Sequence, residues 1–205
     1  MPLTPRIYLA SKSPRRRELL RQIGVNFDVL TFRSGERGED ADVDETPFRD
    51  EAVDRYVERL ALAKAEAGTR RVIWRKLMLR PVLAADTTIE LDGAIIGKPA
   101  DAAEAQEILK RLSGRSHRVL TAVAMSDGER TRSRLSVSEV RFRTLPEQEI
   151  RRYVASGEPM DKAGAYGIQG HAALFVEEIR GSYSGIMGLP LFDTGILLET
   201  FGYTL

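Results

Sequence analysis

The stretch from Pro81 to Leu91 constrains the fold more than any other part of the chain. It is apolar and β-branched, and it runs into Asp92-Gly93, a dipeptide that closes two-residue hairpins. That combination calls for a core strand, with Asp86 and Thr87 on the strand or at its end. Charged side chains are seldom buried without a partner or a metal. A carboxylate following Val82-Leu83-Ala84-Ala85 is therefore a candidate for chemistry, and the competing reading is an aspartate that caps a turn.

Around this strand, helical and extended patterns alternate. Ile7 to Ala10 reads as a short buried strand, and Ser13-Pro14 opens a helix with a capping hydroxyl and a proline at the first helical position. Leu19, Leu20 and Ile23 share the inner face of that helix, and Gly24 closes it. Phe27 to Phe32 predicts a second strand, and residues 33–51 an acidic loop. A long helix starts near Thr46-Pro47, with Val53, Val57, Leu60 and Ala61 inside. Lys64 continues this apolar face at the next i+4 step and is its one exception. Residues 69–80 are basic and read as a surface connection. Asp101 and Glu104 cap a helix whose inner face is Ala105, Ile108, Leu109 and Leu112, and Gly114 ends it.

Val119 to Met125 and Leu135 to Phe142 read as a hairpin about Asp127-Gly128. The apolar phase of the second arm switches between Val137 and Val140, which predicts a bulge or a bend. Thr144 and Glu147 open a fourth helix through Val154. Ala172 to Ile179 reads as the last strand and Pro190 to Phe201 as the last helix. Because hairpins interrupt the alternation, the pattern predicts an α/β fold with a mixed sheet. No repeat or linker divides the 205 residues, so they are expected to form one domain.

There is no cysteine, which excludes disulfides, thiolate zinc sites and a cysteine nucleophile. His117 and His171 are the only histidines, too few for a multi-histidine metal site. A catalytic metal would sit among carboxylates, which favours Mg²⁺ or Mn²⁺. The formal net charge of +1 argues against a nucleic-acid partner. No segment has the pattern of a signal peptide or the length of a bilayer span, so the expected compartment is the cytoplasm and no membrane partner is expected.

Ser11-Lys12-Ser13-Pro14-Arg15-Arg16-Arg17 falls between a strand and a helix. Free N–H groups at the helix start, the hydroxyls of Ser11 and Ser13, and the cations of Arg15 and Arg16 suit a polyphosphate. The competing reading is a capped helix with solvated arginines. The acidic stretch around Glu45 offers a second carboxylate for a metal. Gly97-Lys98-Pro99 ends like a P-loop, but the spacing from Gly93 is wrong and proline replaces the magnesium-holding hydroxyl. A P-loop is rejected, and Lys98 remains able to neutralise phosphate charge. In Asp161 to Gly170, glycines recur every three residues without the strand and helix of a dinucleotide fingerprint. Gln169 there offers a donor and an acceptor to a base edge, against a packed turn as the alternative.

Several motifs occur in one order: Ser-x-Ser-Pro-Arg-Arg at 11–16, Asp44-Glu45, Tyr56 to Ala65, Ala85-Asp86-Thr87, Gly97-Lys98-Pro99, Leu112-Ser113-Gly114-x-x-His117, Asp161 to Gly170, Gly181-Ser182-Tyr183 and Gly188-Leu189-Pro190. This series resembles the Maf family over essentially the whole chain. The stretch from Asp161 to Gly170 looks like the branch acting on dTTP and UTP rather than on 7-methyl-GTP. The resemblance implies a mixed α/β structure of two lobes around a cleft, like that of inosine triphosphate pyrophosphatases and often dimeric. It implies hydrolysis of a nucleoside triphosphate to monophosphate and pyrophosphate with a divalent cation, and a link to cell-division arrest. Asp86 matches the family's general base, Arg15, Thr87 and Gln169 its specificity positions, and Glu45, Lys64 and Lys98 its polar cleft positions. The residues leave Asp86 open as base, metal ligand or both. Two other readings compete: a nucleotide-binding regulator of septum formation without turnover, and a pyrophosphatase for modified nucleotides. Residues 33–41 and 69–80 match nothing in the family pattern.

Overall fold

The computed structural model of the protein describes residues 6–31 and 43–204. A seven-stranded sheet forms its centre, in the order β2-β1-β3-β5-β6-β7 with β4 beside β3. The strands are β1 (Arg6–Leu9), β2 (Asn26–Val29), β3 (Val82–Leu91), β4 (Ala94–Ile96), β5 (Ser116–Ser126), β6 (Thr131–Phe142) and β7 (Val176–Arg180). β2, β1 and β3 run parallel, whereas β4, β5, β6 and β7 pair antiparallel. This is the mixed α/β sheet that the interrupted alternation predicts.

Six α-helices are described: α1 (Pro14–Gln22), α2 (Val53–Trp74), α3 (Ala102–Leu112), α4 (Glu147–Ala155), α5 (Tyr183–Met187) and α6 (Leu191–Thr200). Strand side chains alternate between faces, so every second residue of β3 meets a different layer. Val82 and Ala84 pack with Leu120, Ala122 and Ala124 against Val57, Leu60, Ala61 and Ala65 of α2. Leu83 and Ala85 pack with Val123 and Met125 against Leu19 and Leu20 of α1 and Leu197 and Leu198 of α6. Farther along that second face, Ile89, Leu91, Val140 and Phe142 meet α3 and α4. By the same alternation Asp86 projects toward α2 and Thr87 toward the opposite face.

One break in the pairing matters for function. β5 follows β3 without interruption from Val82 to Glu90. On the other edge, β1 pairs only as far as Leu83 and β4 covers only Ile89 to Leu91. Among the described residues, positions 84–88 therefore have no strand on that side, and Asp86 and Thr87 lie in the gap.

The elements depart from expectation in six places. α2 begins at Val53 rather than near Thr46-Pro47. Proline disfavours a helical conformation in the residue before it, and a turn follows in which Asp50 has φ 56° and Glu51 accepts from the Phe48 N–H. α2 also continues through residues 69–74, which were expected to be surface connection. Thr69, Arg71 and Val72 are buried there, so a charged stretch is helical because one face of it packs. The β5–β6 register has no bulge: Leu135 sits against the α2 layer and Val140 and Phe142 against the other, because the sheet is covered on both faces. The irregularity falls between Arg141 and Phe142 in the pairing with β7. Residues 171–175 form a 3-10 turn ahead of β7, and α5 was not anticipated. At α4 the cap position is Pro146, not Thr144. Phe32 and the acids Glu36, Glu39, Asp40 and Asp42 lie outside the described residues.

Candidate active site

The gap in the sheet opens into a cavity of about 530 Å³. All ten residues singled out from the sequence line it: Ser11, Ser13, Arg15, Arg16, Glu45, Lys64, Asp86, Thr87, Lys98 and Gln169. The chain reaches it from β1 through the start of α1. There Ser13 caps the helix, accepting from the Arg16 N–H at 3.5 Å, and Ser11 Oγ accepts from the Ser13 N–H at 3.2 Å. Pro14 supplies the first helical residue without an orphan donor.

On the α2 side, Asp86 is 8% exposed and meets Lys64. The Lys64 Nζ donates to Asp86 Oδ1 at 2.7 Å and to Glu45 Oε1 at 2.5 Å. Burial pushes the Lys64 ammonium down, but the Asp86 and Glu45 carboxylates outweigh it and hold the group above its ordinary value. Burial likewise pushes Glu45 up, and Lys64, with Lys98 and Arg16 behind it, brings it below the usual carboxylate range. Glu45 is positioned by Tyr56, whose hydroxyl donates to the Glu45 carbonyl at 2.9 Å. The loop carrying it is braced by Arg59, which pairs with Glu51 at 2.6 Å and lies 4.0 Å over the Phe48 ring.

On the other side, Thr87 is held by Arg16. The guanidinium donates to the Gly188 carbonyl at 2.7 Å, to Thr87 Oγ1 at 3.2 Å and to Ser11 Oγ at 3.3 Å. Burial lowers the Arg16 pKa, while Asp86 opposes that shift. Thr121 on β5 completes the cluster: its hydroxyl lies 3.0 Å from Thr87 Oγ1 and donates to the Gly185 carbonyl at 2.8 Å. Sequence reasoning missed Thr121, and it placed Tyr56 and Gly188 in motifs without giving either a role in the site. A threonine inside the apolar run Val119 to Met125 was a signal of the same kind as Asp86, but a hydroxyl is unremarkable in a strand.

Arg15, Lys98 and Gln169 stand nearer the mouth. The Arg15 guanidinium approaches Asp161 only to 3.7 Å, and Lys98 and Gln169 are exposed. The segment bearing Gln169 is anchored from behind. The Gly164 N–H donates to the Gly97 carbonyl at 2.9 Å, which ties this segment to the turn of Lys98. Gly164 has φ 70°, and a Cβ there would fall 2.2 Å from Ile89 Cδ1, so only glycine fits without displacement. The Tyr166 hydroxyl lies 2.8 Å from Nε2 of His117, both residues being buried. Burial lowers the His117 pKa to about 4, so the ring is neutral at ordinary pH and belongs to the core beside Phe142.

No group of three or more His, Asp or Glu side chains placed to hold a metal occurs among the described residues. The donor set that does exist, Glu45 and Asp86, suits Mg²⁺ or Mn²⁺. Mg²⁺ is commonly held by one or two carboxylates, with substrate phosphates and water completing the shell. No described helix is long and apolar enough to cross a membrane.

Comparison with known structures defines the class first. The Ham1 protein of Staphylococcus aureus aligns with a TM-score of 0.50, covering 96% of this chain and 97% of that one at 17% identity. At that identity the likeness is one of fold: a mixed α/β protein of the Ham1 architecture. The family follows from sequence. The model described as Maf-like protein matches residues 6–201, and the chain belongs to the Maf family. It is 74% identical over 204 residues to a protein of Aromatoleum aromaticum, covering 100% of this chain and 99% of the relative. It is 59% identical over 198 residues to a protein of Dechloromonas aromatica, covering 97% and 98%. A third relative, from Ralstonia nicotianae, is 55% identical over 202 residues, covering 98% and 96%. All three bear the name dTTP/UTP pyrophosphatase.

Proposed function

We propose that this protein is a nucleoside triphosphate pyrophosphatase that converts dTTP and UTP to the monophosphate and pyrophosphate. The observation that carries the reading is Asp86, a buried carboxylate in the sheet gap that faces a cavity lined by six lysines and arginines. Family membership and the names of full-length relatives point the same way.

A triphosphate carries several negative charges, so the barrier to attack by water is largely electrostatic. Lys98, and Arg15, whose ion pair with Asp161 is long at 3.7 Å, are suited to the phosphates. Arg16 has three of its donors committed within the protein, so its work is to hold Ser11, Thr87 and Gly188 in place. Asp86 orients the water and takes its proton as oxygen bonds to the α-phosphorus. The bond from that phosphorus to the bridging oxygen breaks, and pyrophosphate leaves. General-base help of this kind contributes about 10²–10⁴-fold. A divalent cation, Mg²⁺ or Mn²⁺, held by Glu45, would supply positive charge to the phosphates. Gln169, exposed on the cavity lining, would read the base edge. The chain is read as one domain of two lobes acting on free nucleotides in the cytoplasm.

The test is an assay of purified protein with a panel of triphosphates and Mg²⁺, scored for pyrophosphate and monophosphate. Asp86→Asn should bind nucleotide and turn over at least 100-fold more slowly. A variant with near-normal kcat would remove the general-base role and favour a nucleotide-binding regulator.

A further inference from the structure

Lys64 occupies the space between the two carboxylates that the proposed reaction needs. Its ammonium donates to Glu45 Oε1 at 2.5 Å and to Asp86 Oδ1 at 2.7 Å, and its side chain is 16% exposed. One positive charge there neutralises half the negative charge of the pair and uses a lone pair from each acid. A dication arriving alone must displace it or sit beside it, and like charges a few ångströms apart repel strongly in a partly buried site. The ammonium is held by both acids at once and leaves them only for another acceptor. The backbone of Lys64 cannot retreat either, since Leu60, Ala61 and Ala65 fasten α2 to the sheet. Only the side chain can change partner. The cavity offers a reason for it to do so, because a polyphosphate lying between Lys98 and the start of α1 is a stronger acceptor than two carboxylates already shared.

We propose that Lys64 excludes the divalent cation from the free protein and admits it with the nucleotide, the ammonium passing from Glu45 and Asp86 to a substrate phosphate. The metal and the nucleotide then bind as a coupled pair, and the free protein has little affinity for either cation of the class. This rests on the metal assignment made under the proposed function, and it gives Lys64 a positioning role beyond charge neutralisation of phosphate.

The test is Mn²⁺ binding to the full chain, read by electron paramagnetic resonance, with and without α,β-methylene-UTP as a non-hydrolysable probe. Lys64→Met should bind Mn²⁺ at least tenfold more tightly than wild type when no nucleotide is present. The tightening brought by the analogue should be at least tenfold larger in wild type than in the variant. Lys64→Gln, which keeps one donor for the acids and so protects the fold, should behave as Lys64→Met does. If the free variants bind Mn²⁺ no more tightly than wild type while wild type binds it with the analogue, the gating role is overturned and the metal assignment stands. If wild type binds no Mn²⁺ even with the analogue, the metal assignment falls and this inference with it.

Discussion

Arg16→Lys keeps the charge and removes the fork. In the wild-type protein one guanidinium joins the Gly188 carbonyl, Thr87 Oγ1 and Ser11 Oγ, at 2.7, 3.2 and 3.3 Å, and so links α1, β3 and the turn after α5. A lysine ammonium is a point donor on a flexible stem and cannot span those three acceptors. Hydrogen bonds to a charged group contribute about 1.5–3 kcal/mol each to stability. The short bond to Gly188 accounts for most of that here, the two longer ones add less, and the lysine recovers one contact. The net loss is about 2–3 kcal/mol. In a chain of this size each kcal/mol lowers Tm by about 2–4 °C, so Tm should fall by about 4–12 °C. Thr87 loses its guanidinium donor at the same time, and KM for UTP should rise more than kcat falls. Thermal unfolding by circular dichroism, with steady-state kinetics on UTP, reads both. A fall in Tm below about 2 °C together with an unchanged kcat/KM would refute the view that Arg16 holds this side of the site.

Three other outcomes follow from the same geometry. The folded pKa of His117 is about 4 against an unfolded value of 6.5, so nothing is lost above pH 6.5. As pH falls toward 4 the unfolded chain takes up a proton that the folded one refuses, which costs about 3 kcal/mol at the lower limit. His117→Gln should flatten the urea stability curve between pH 6.5 and 4.5 relative to wild type, and parallel curves would contradict the assignment. Gly164→Ala combines φ 70° with a Cβ 2.2 Å from Ile89 Cδ1, and should cost about 1–3 kcal/mol by urea unfolding. Ile89→Val in the same chain should restore part of the loss, and no restoration would show that the contact is not the cause. Gln169→Ala should shrink the UTP-over-CTP ratio of kcat/KM by roughly 5- to 150-fold, because a cytosine ring leaves polar groups unpaired against the amide. An unchanged ratio would take Gln169 out of base reading.

Much of the site was visible in the sequence because its members break local rules. Asp86 interrupts an apolar strand, Lys64 interrupts the apolar stripe of α2, and Ser13-Pro14 announces a helix start facing the cleft. The mixed sheet followed from Asp92-Gly93 and Asp127-Gly128. What stayed hidden depends on distant pairing. The open edge at residues 84–88 exists because β1 pairs with β3 only as far as Leu83 and β4 only from Ile89, and no local pattern encodes where two neighbouring strands end. Arg16 looked like one cation of a phosphate site, yet its shortest partner is the Gly188 carbonyl, 172 residues away. The change of apolar phase at Val137 suggested a bulge or a bend because a strand covered on both faces has no single apolar phase to follow. Residues 69–74 were misread because charge marks a surface only when no face of the helix is buried.

The central claim is that water attacks the α-phosphorus of a pyrimidine triphosphate under the control of Asp86. It is tested most directly by hydrolysing UTP in ¹⁸O-labelled water with Mg²⁺ and locating the label by ³¹P NMR. The account predicts UMP and pyrophosphate as the products, with the label in UMP and the rate lowered at least 100-fold in Asp86→Asn. Label in pyrophosphate, or UDP and orthophosphate as products, would contradict it.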